Sequence, residues 1–468
     1  MKKIIIIGGG MAGLGAAWSL SEKNYQVQVL EADKIIGGLA KTVKINNKNL
    51  DIGPHSFFSE DKEVLRKVLD LFEGEKGKIQ FSKKRKMKMI FKGKYIDYPL
   101  SIKSMFQMGF LSPILSFLSF LKSYIKLFLI SLVRKSKINE DPSIEEWAID
   151  NFGKYLYIHF FKPYSEQFWK INTKELSHKV IPTRSKKINF ATTLKHLLIN
   201  KYLDLAKREP GDLSLQERES LPTYYPKDGF GEIANRIAKK IEEKNGTIYV
   251  SQNVEQVLMK SNKKFEIKTK DRNFEADIVI STIPIDKIIN KINPPPKKEI
   301  LEEGNKLEYL SLILIYISTN KKNVLDCEYC YFVERTFNRV SEMNFISGNE
   351  SEDKENLLIV EISCHYNDKM WNLSKDEIFS LCIQDFQKDK LLDNKDVLNY
   401  EMLKMQSVYP IYRKNYKNSL LKIQNYFSET KNFHSIGRQG QFYYGDSDQM
   451  IRMGFDVAKK IDKDLKNE

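Results

Sequence analysis

Histidine and cysteine are scarce in this chain of 468 residues, which contains six of the former and four of the latter. Metal sites and nucleophile–histidine centres need such side chains in defined combinations, and neither pattern is evident. The sequence therefore predicts no bound metal and no Ser-His-Asp centre. Internal repeats and low-complexity linkers are also lacking. We expect a globular chain with two domains.

Two of the four cysteines form a Cys-x-x-Cys pair, Cys327 and Cys330. The alternating residues around them predict a β-strand, in which an odd offset directs side chains to opposite faces of a sheet. Cys364 and Cys382 lie far away without ligand spacing. We expect four reduced packing residues in a reducing compartment, without zinc or a disulfide.

Basic residues outnumber acidic ones, 76 to 61, for a formal net charge of +15. The lysines are scattered and no aromatic–basic module accompanies them, so nucleic-acid binding is not expected. A general basic surface would attract anionic small molecules or lipid headgroups. No signal peptide precedes the first apolar run, which predicts a cytoplasmic location.

The most apolar stretch runs from Phe110 to Val133. Two lysines interrupt it, and its serines fall with one of these lysines on one helical face, which argues against a spanning helix. Two interpretations remain open, a core helix pair of a substrate domain and an interfacial amphipathic helix. Basic residues follow the stretch, so peripheral membrane contact is one of our expectations.

A run of four isoleucines leads into a glycine turn, and a second apolar run ends at Glu31. Gly8 permits the tight turn, Gly10 lets the backbone approach a pyrophosphate, and Gly13 lets the following helix pack on the strand. Glu31 stands where an adenosine ribose hydroxyl is held. The predicted dinucleotide-binding residues of this unit are Gly8, Gly10, Met11, Ala12, Gly13 and Glu31.

Two further segments predict contact with the same cofactor. A second glycine pair follows Glu31 closely, and near the C-terminus a glycine-containing segment leads into a helix whose N-terminus can face the electron-rich edge of a flavin. The predicted cofactor-binding residues here are Gly38, Leu39, Gly437, Asp448 and Gln449, and a resemblance to known FAD enzymes implies that Arg438 also lies beside the flavin.

Together these segments resemble the superfamily of FAD enzymes that includes amine oxidases, protoporphyrinogen oxidases and UDP-galactopyranose mutases. The resemblance implies FAD as the cofactor, bound non-covalently. It also implies an α/β fold, in which a discontinuous Rossmann-like FAD-binding domain of the glutathione-reductase type joins a mixed α+β substrate domain. We expect residues 1–75, 222–290 and 425–468 to form the FAD domain, 76–221 a helical insert, and 291–424 the substrate-domain sheet.

Several segments are similar to UDP-galactopyranose mutases in particular. The loop Asp51–Ser59 resembles their histidine loop, and the aromatic segments around Tyr164 and Trp169 resemble a helical signature of their substrate domain. Carried over residue by residue, the resemblance gives predicted catalytic residues. His55 would touch the flavin, and the substrate diphosphate would be held by Arg184, Arg339, Tyr409 and Tyr444.

Two departures from that pattern weaken the case for UDP-galactose itself. The helix start reads Asp446-Ser447-Asp448-Gln449 instead of an Asn-Gln-Asp-His type sequence, and Pro54 replaces the glycine before the histidine. The leading hypothesis is an FAD-dependent mutase acting on a nucleotide-linked sugar in cell-surface polysaccharide synthesis. The alternatives are an oxidoreductase of the amine oxidase or protoporphyrinogen oxidase type, with an apolar pocket supplied by Phe106–Phe128, and a non-catalytic flavin-binding protein.

Overall fold

The computed structural model describes residues 2–74, 79–82, 86–98, 101–133, 141–181, 221–347 and 355–467. Helices in these ranges are Met11–Ser21, Lys62–Asp70, Ile102–Met108, Ser112–Val133, Ile144–Leu156, Lys162–Trp169, Glu232–Glu242, Ile285–Ile289, Lys298–Gly304, Met343–Ser347, Lys369–Asn372, Lys375–Lys388, Tyr416–Glu429, Gly437–Gly440 and Ser447–Asn467. A π-helical turn spans Tyr157–Phe161, and 3₁₀ turns span Gly38–Ala40, His178–Val180 and Asn394–Asp396.

A five-stranded parallel sheet forms the first layer. Its strands, in spatial order, are Phe433–Ser435, Ile278–Ser281, Lys3–Ile7, Gln26–Leu30 and Thr247–Tyr249. The run Ile4–Ile7 lies at its centre and is buried on both faces, as expected of a parallel strand covered by helices. This sheet confirms the predicted Rossmann-like fold, and the carboxyl ends of its strands form the edge at which such folds bind ligands.

Two helices cross closely on this sheet. The helix Met11–Ser21 packs against the final helix, Ser447–Asn467, and glycines permit the approach. A Cβ on Gly454 would lie 2.4 Å from the backbone nitrogen of Ala16, and one on Gly15 would lie 2.9 Å from the carbonyl oxygen of Ile451. The C-terminal helix is therefore an integral layer of the nucleotide-binding domain.

A seven-stranded sheet forms the second large layer. In spatial order its strands are Val397–Pro410, Tyr309–Thr319, Asn356–Cys364, Arg339–Glu342, Tyr329–Phe332, Met87–Phe91 and Lys94–Asp97. The last two belong to the segment that we predicted as a helical insert, so that segment is not wholly helical. Met87–Phe91 pairs in parallel with Tyr329–Phe332. The predicted boundary at residues 424 and 425 falls inside the helix Tyr416–Glu429.

Smaller sheets complete the described strands. A four-stranded sheet has the order Asn273–Ala276, Phe265–Thr269, Val254–Met259 and Ile292–Asn293, and two strand pairs join Thr42–Ile45 with Lys48–Asp51 and Ile79–Ser82 with Thr223–Pro226.

The prediction that Cys327 and Cys330 face opposite sides of a sheet is wrong. The strand begins at Tyr329, so Cys327 precedes it, and both thiols lie in one apolar cluster. Burial and the neighbouring Cys327 raise the pKa of the Cys330 thiol well above its usual value. All four cysteines are buried and unbridged.

The helix Ser112–Val133 packs its serines inward. The hydroxyl of Ser119 accepts a hydrogen bond from the backbone N–H of Tyr155 at 3.0 Å, Ser116 is fully buried, and Gly153 allows close contact with this helix. Between Ser112 and Lys126 the large apolar side chains other than Phe120 are exposed instead, so this part is not the core helix of our first interpretation. Among the described residues, no helix combines the length and apolar character needed to cross a bilayer.

Candidate active site

The glycine turn after the first strand leaves open space at one position. Gly8 has a φ of +104°, whereas Gly10 is extended and begins the helix without a side-chain cap. A Cβ built on Gly10 would meet nothing closer than the Cα of Gly38 at 3.9 Å, whereas one on Gly13 would lie 2.1 Å from the carbonyl oxygen of Gly8. Gly10 therefore borders a cradle, and Gly13 serves helix–strand packing.

The second glycine pair faces this turn. The backbone N–H of Gly37 donates to the carbonyl oxygen of Gly9 at 2.8 Å, and Leu39 packs on the core. The first N–H groups of the helix at Met11, Ala12 and Gly13 have no intrahelical acceptors. This arrangement suits the pyrophosphate of a dinucleotide.

Glu31 directly follows the second strand, Gln26–Leu30, and its carboxylate already accepts hydrogen bonds from the backbone. One oxygen accepts from the N–H of Gly9 at 2.7 Å and the other from the N–H of Asp33 at 2.8 Å. Because a carboxylate has about four acceptor positions, capacity remains for a ribose hydroxyl. The residues present therefore fit a dinucleotide.

The C-terminal segment reaches the same place. Gly437 has a φ of +84°, and a Cβ there would lie 2.8 Å from the Cβ of Ala12. Asp448 is buried and accepts from the hydroxyl of Ser59 at 2.9 Å, whereas the side chain of Gln449 accepts from the N–H of Asp446 at 3.1 Å. Gly437 thus abuts the start of the first helix, and the predicted cofactor contacts of Asp448 and Gln449 stay predictions.

Arg438 lies between two aromatic rings. Its guanidinium carbon is 5.0 Å from the ring centroid of Tyr409 and 4.7 Å from that of Tyr444. Its Nε donates to the carbonyl oxygen of Val408 at 3.2 Å, and its Nη1 to that of Gly445 at 3.1 Å. Among the described residues it forms no ion pair, so it is a cation held by neutral groups.

Arg339 is paired with a carboxylate that the sequence analysis missed. Arg339 and Glu361 lie directly opposite each other on neighbouring strands. Both Nε and Nη2 of the arginine donate to the two carboxylate oxygens, the latter at 2.9 Å. Only Nη1 makes no hydrogen bond within the described part of the chain. Glu361 could have been suspected as the single charged residue within the largely apolar strand Asn356–Cys364.

The histidine loop passes over this ion pair. A Cβ on Gly53 would lie 3.1 Å from a carboxylate oxygen of Glu361. The Nδ1 of His55 lies 3.0 Å from the carbonyl oxygen of Gly53, and its ring stacks on Phe230 with centroids 4.7 Å apart. Burial lowers the pKa of His55 to about 4, and the charges of Arg339 and Arg438 act in the same direction.

Asp51 fixes the base of that loop. Its buried carboxylate accepts from the hydroxyl of Tyr225 at 2.8 Å, from the N–H of Phe230 at 3.0 Å and from the hydroxyl of Thr42. Burial raises the pKa of Asp51 to about 6, although these hydrogen bonds oppose the rise. Since Phe230 carries the stacked ring, this one carboxylate positions both partners of the His55 stack.

Aromatic side chains from the helix Lys162–Trp169 face the arginines. Trp169 lies 6.3 Å from Tyr409 and 6.5 Å from Tyr444 between ring centroids, and Tyr164 lies 5.9 Å from Tyr331. The Tyr331 ring is in turn 5.8 Å from the guanidinium of Arg339. The aromatic signature seen in the sequence therefore lines the arginine cluster.

Five of the predicted residues are brought together. They are His55, Arg339, Tyr409, Arg438 and Tyr444. Arg184 lies outside the described residues. The predicted diphosphate fork of Arg339 is occupied by Glu361, which limits that arginine to one nitrogen for a ligand. Within the described ranges no group of three or more His, Cys, Asp or Glu side chains could hold a metal ion.

We expect the His55 imidazole to be neutral above about pH 5, with its proton on Nδ1, because burial and two arginines oppose its charging. The unfolded chain takes up this proton near pH 6.5, but the folded protein does so only near 4. His55 therefore lowers the free energy of unfolding as the pH falls through this window.

Nitrogen NMR of labelled imidazoles measures this titration, and loss of one signal in His55→Gln assigns it. Arg438→Gln should raise the pKa of His55 by removing a nearby positive charge. Titration of His55 near 6.5, unchanged by Arg438→Gln, would contradict the expectation.

Comparison with known proteins identifies the family. The profile described as flavin containing amine oxidoreductase matches residues 11–404. One sequence relative is the dTDP-fucopyranose mutase of Escherichia coli, which is 27% identical over 41% of this chain and 48% of that protein. Another is a probable UDP-galactopyranose mutase of Klebsiella pneumoniae, which is 24% identical over 40% of this chain and 46% of that protein. These alignments span about half the length of either mutase.

Solved structures share the whole fold. A reduced UDP-galactopyranose mutase superposes with a TM-score of 0.79 at 20% identity, covering 98% of this chain and 94% of the other. A putative protoporphyrinogen oxidase from Exiguobacterium superposes with a TM-score of 0.72 at 14% identity, covering 99% of each chain. The glycine cradle, the parallel sheet and the family match lead to one conclusion: the chain belongs to the flavin-containing amine oxidoreductase family and is an FAD-dependent enzyme.

Proposed function

We propose that this flavoenzyme is a mutase that interconverts the pyranose and furanose forms of a nucleotide-linked sugar. The observation that carries the proposal is Arg438, a cation without a carboxylate partner in the described structure, held between Tyr409 and Tyr444 beside the cofactor segment Gly437–Gly440. A diphosphate would supply the missing negative charge. A role of the product in polysaccharide synthesis stays a prediction from the sequence.

The residues around Arg438 are better suited to binding a diphosphate than to transferring a proton. Burial raises the pKa of both Tyr409 and Tyr444, so their hydroxyls stay protonated and can donate to phosphate oxygens. Arg339 can add one further N–H from Nη1, while its own charge is balanced by Glu361. When bound and reduced, FAD supplies a nucleophile that can replace the nucleotide at the anomeric carbon.

The oxidase alternative predicts an apolar pocket from the aromatic insert. Phe106, Phe110 and Phe117 are instead exposed to solvent, so these three residues do not supply one. Mutase chemistry needs orientation of the sugar and a held diphosphate, without net transfer of electrons from the substrate. The residues around Arg438 match that requirement better than an apolar cavity does.

The test uses the FAD-loaded protein with UDP-galactopyranose and dTDP-fucopyranose. We expect chromatography to show a furanose product only after the flavin has been reduced with dithionite, and no bleaching of oxidised flavin by either sugar under anaerobic conditions. Bleaching by an amine or another reduced substrate, together with no isomerisation of either sugar, would overturn the proposal in favour of an oxidase.

The matched variants are Arg438→Met and Arg452→Met. Arg452 lies further along the C-terminal segment and forms ion pairs with Asp61 and Glu63. A charge-assisted hydrogen bond contributes about 1.5–3 kcal/mol, so Arg438→Met should weaken UDP binding by roughly ten- to a hundredfold. UDP affinity should be unchanged in Arg452→Met, and equal losses in both variants would contradict a diphosphate contact at Arg438.

A further inference from the structure

The helix Ser112–Val133 turns a polar face toward the protein, which is the reverse of an ordinary surface helix. Its small polar residues Ser112, Ser116 and Ser119 face the helix Ile144–Leu156. A helix at the surface of a water-soluble domain normally buries its apolar stripe and exposes its polar one. Here the polar stripe is buried, so the environment on the outer side should be apolar.

The outer side carries an apolar stripe at helical spacing. Ile114, Leu118, Leu121 and Ile125 follow an i, i+4, i+7, i+11 pattern, which places them on one face. Their exposed fractions are 52%, 54%, 40% and 49%, and Phe110 just before the helix is 79% exposed. Ten of the eighteen large apolar side chains exposed in the described residues lie between positions 106 and 125. Such clustering marks an interaction surface.

The charge of this segment has one sign. No acidic residue occurs between Asp97 and Glu140, whereas six basic residues do. They are Lys103, Lys122, Lys126, Arg134, Lys135 and Lys137. Lys122 and Lys126 are exposed on the helix itself, on the flank between the apolar stripe and the serine face. The combination of a basic rim with an apolar stripe is typical of helices that lie in the interface of anionic membranes.

We propose that the apolar stripe Ile114, Leu118, Leu121 and Ile125, with Phe110, docks this enzyme on the surface of an anionic lipid bilayer. The helix would lie parallel to the membrane, since the stripe from Ile114 to Ile125 extends for about 17 Å along its axis. Its buried serine face keeps it attached to the helix Ile144–Leu156. The lysines beside the stripe then reach the lipid headgroups.

A second copy of the chain is a poorer occupant of this surface. A twofold interface would place the same patch of both copies together. Two segments that contain basic residues and no acidic ones would then face each other, and like charges oppose such an interface. An anionic bilayer instead complements both the apolar stripe and its charge.

Flotation of the FAD-loaded full chain with lipid vesicles tests the proposal. We expect binding to phosphatidylcholine vesicles that contain phosphatidylglycerol to be at least about tenfold stronger than binding to phosphatidylcholine alone. The triple variant Ile114→Gln, Leu118→Gln, Ile125→Gln should lose at least about tenfold of that binding at unchanged net charge. Lys122→Gln with Lys126→Gln should weaken binding to the anionic vesicles only.

The matched control replaces two exposed leucines elsewhere, Leu398→Gln and Leu421→Gln, which are exposed to similar extents at 50% and 53%. It should bind vesicles as the parent does. Flavin absorbance and thermal unfolding confirm that each variant is folded. The proposal fails if the parent does not float with anionic vesicles or if the triple variant floats equally well. It also fails if light scattering shows a dimer that the triple variant dissociates while the parent ignores lipid.

Discussion

We expect a Gly10→Val variant to fold as the parent protein does but to lose its FAD during purification. The extended backbone at Gly10 accepts any L-residue, and a Cβ there meets only the Cα of Gly38, at 3.9 Å. Its side chain would instead fill the space through which the backbone approaches the pyrophosphate. We expect FAD affinity to fall by at least about a hundredfold, or about 2.8 kcal/mol.

The flavin-to-protein ratio of the purified variant measures retention, and thermal unfolding of FAD-stripped proteins measures the fold. Gly13→Val provides the contrast, because its Cβ would lie 2.1 Å from the carbonyl oxygen of Gly8. We expect that variant to be destabilised even without cofactor. Stoichiometric flavin in purified Gly10→Val would show that the turn does not contact the pyrophosphate.

Replacing Arg339 alone should destabilise the protein strongly. The side chain of Glu361 is only 4% exposed and has Arg339 as its counter-ion. Breaking a buried pair by removing one partner costs about 3–5 kcal/mol, since a charge is left buried without compensation. Urea unfolding of Arg339→Met against the parent measures this difference in the free energy of unfolding.

The double variant Arg339→Met, Glu361→Met should recover most of that loss in the free energy of unfolding, because two apolar side chains replace the pair.

The control pair is Arg335 with Asp389, whose side chains are 18% and 5% exposed. Arg335→Met should also destabilise, yet leave UDP affinity of the folded protein unchanged. If the double variant binds UDP like the parent, Arg339 takes no part in the proposed diphosphate site, and the stability result stands independently.

The nucleotide-binding domain could be predicted from sequence because its signals are local. The isoleucine run, the glycine turn and the apolar run before Glu31 each carry their pattern within a few residues, and the structure has the strand Lys3–Ile7, the helix Met11–Ser21 and the strand Gln26–Leu30 there. The likeness to UDP-galactopyranose mutases also identified Arg339, Tyr409 and Tyr444, which the structure brings together although they are distant in sequence.

What could not be predicted depends on non-local pairing. Met87–Phe91 joins a sheet whose partner strand lies about 240 residues later in the chain, and no local pattern encodes that neighbour. Glu361 has its significance only because Arg339 is its cross-strand partner. Sequence periodicity also could not predict that the serine face of Ser112–Val133 is buried. A periodic pattern shows that a helix has two faces, but it does not show which of them is buried.

The crossing of the first and last helices has a consequence for the order of biosynthesis. The turn that opens the cofactor site is synthesised long before Gly437, which abuts Ala12, and Gly454, which packs on Ala16. The edge strand Phe433–Ser435 of the same sheet is also late. A nascent chain therefore cannot complete its flavin site until the segment Gly437–Asn467 has left the ribosome, so an N-terminal unit made alone should not retain FAD.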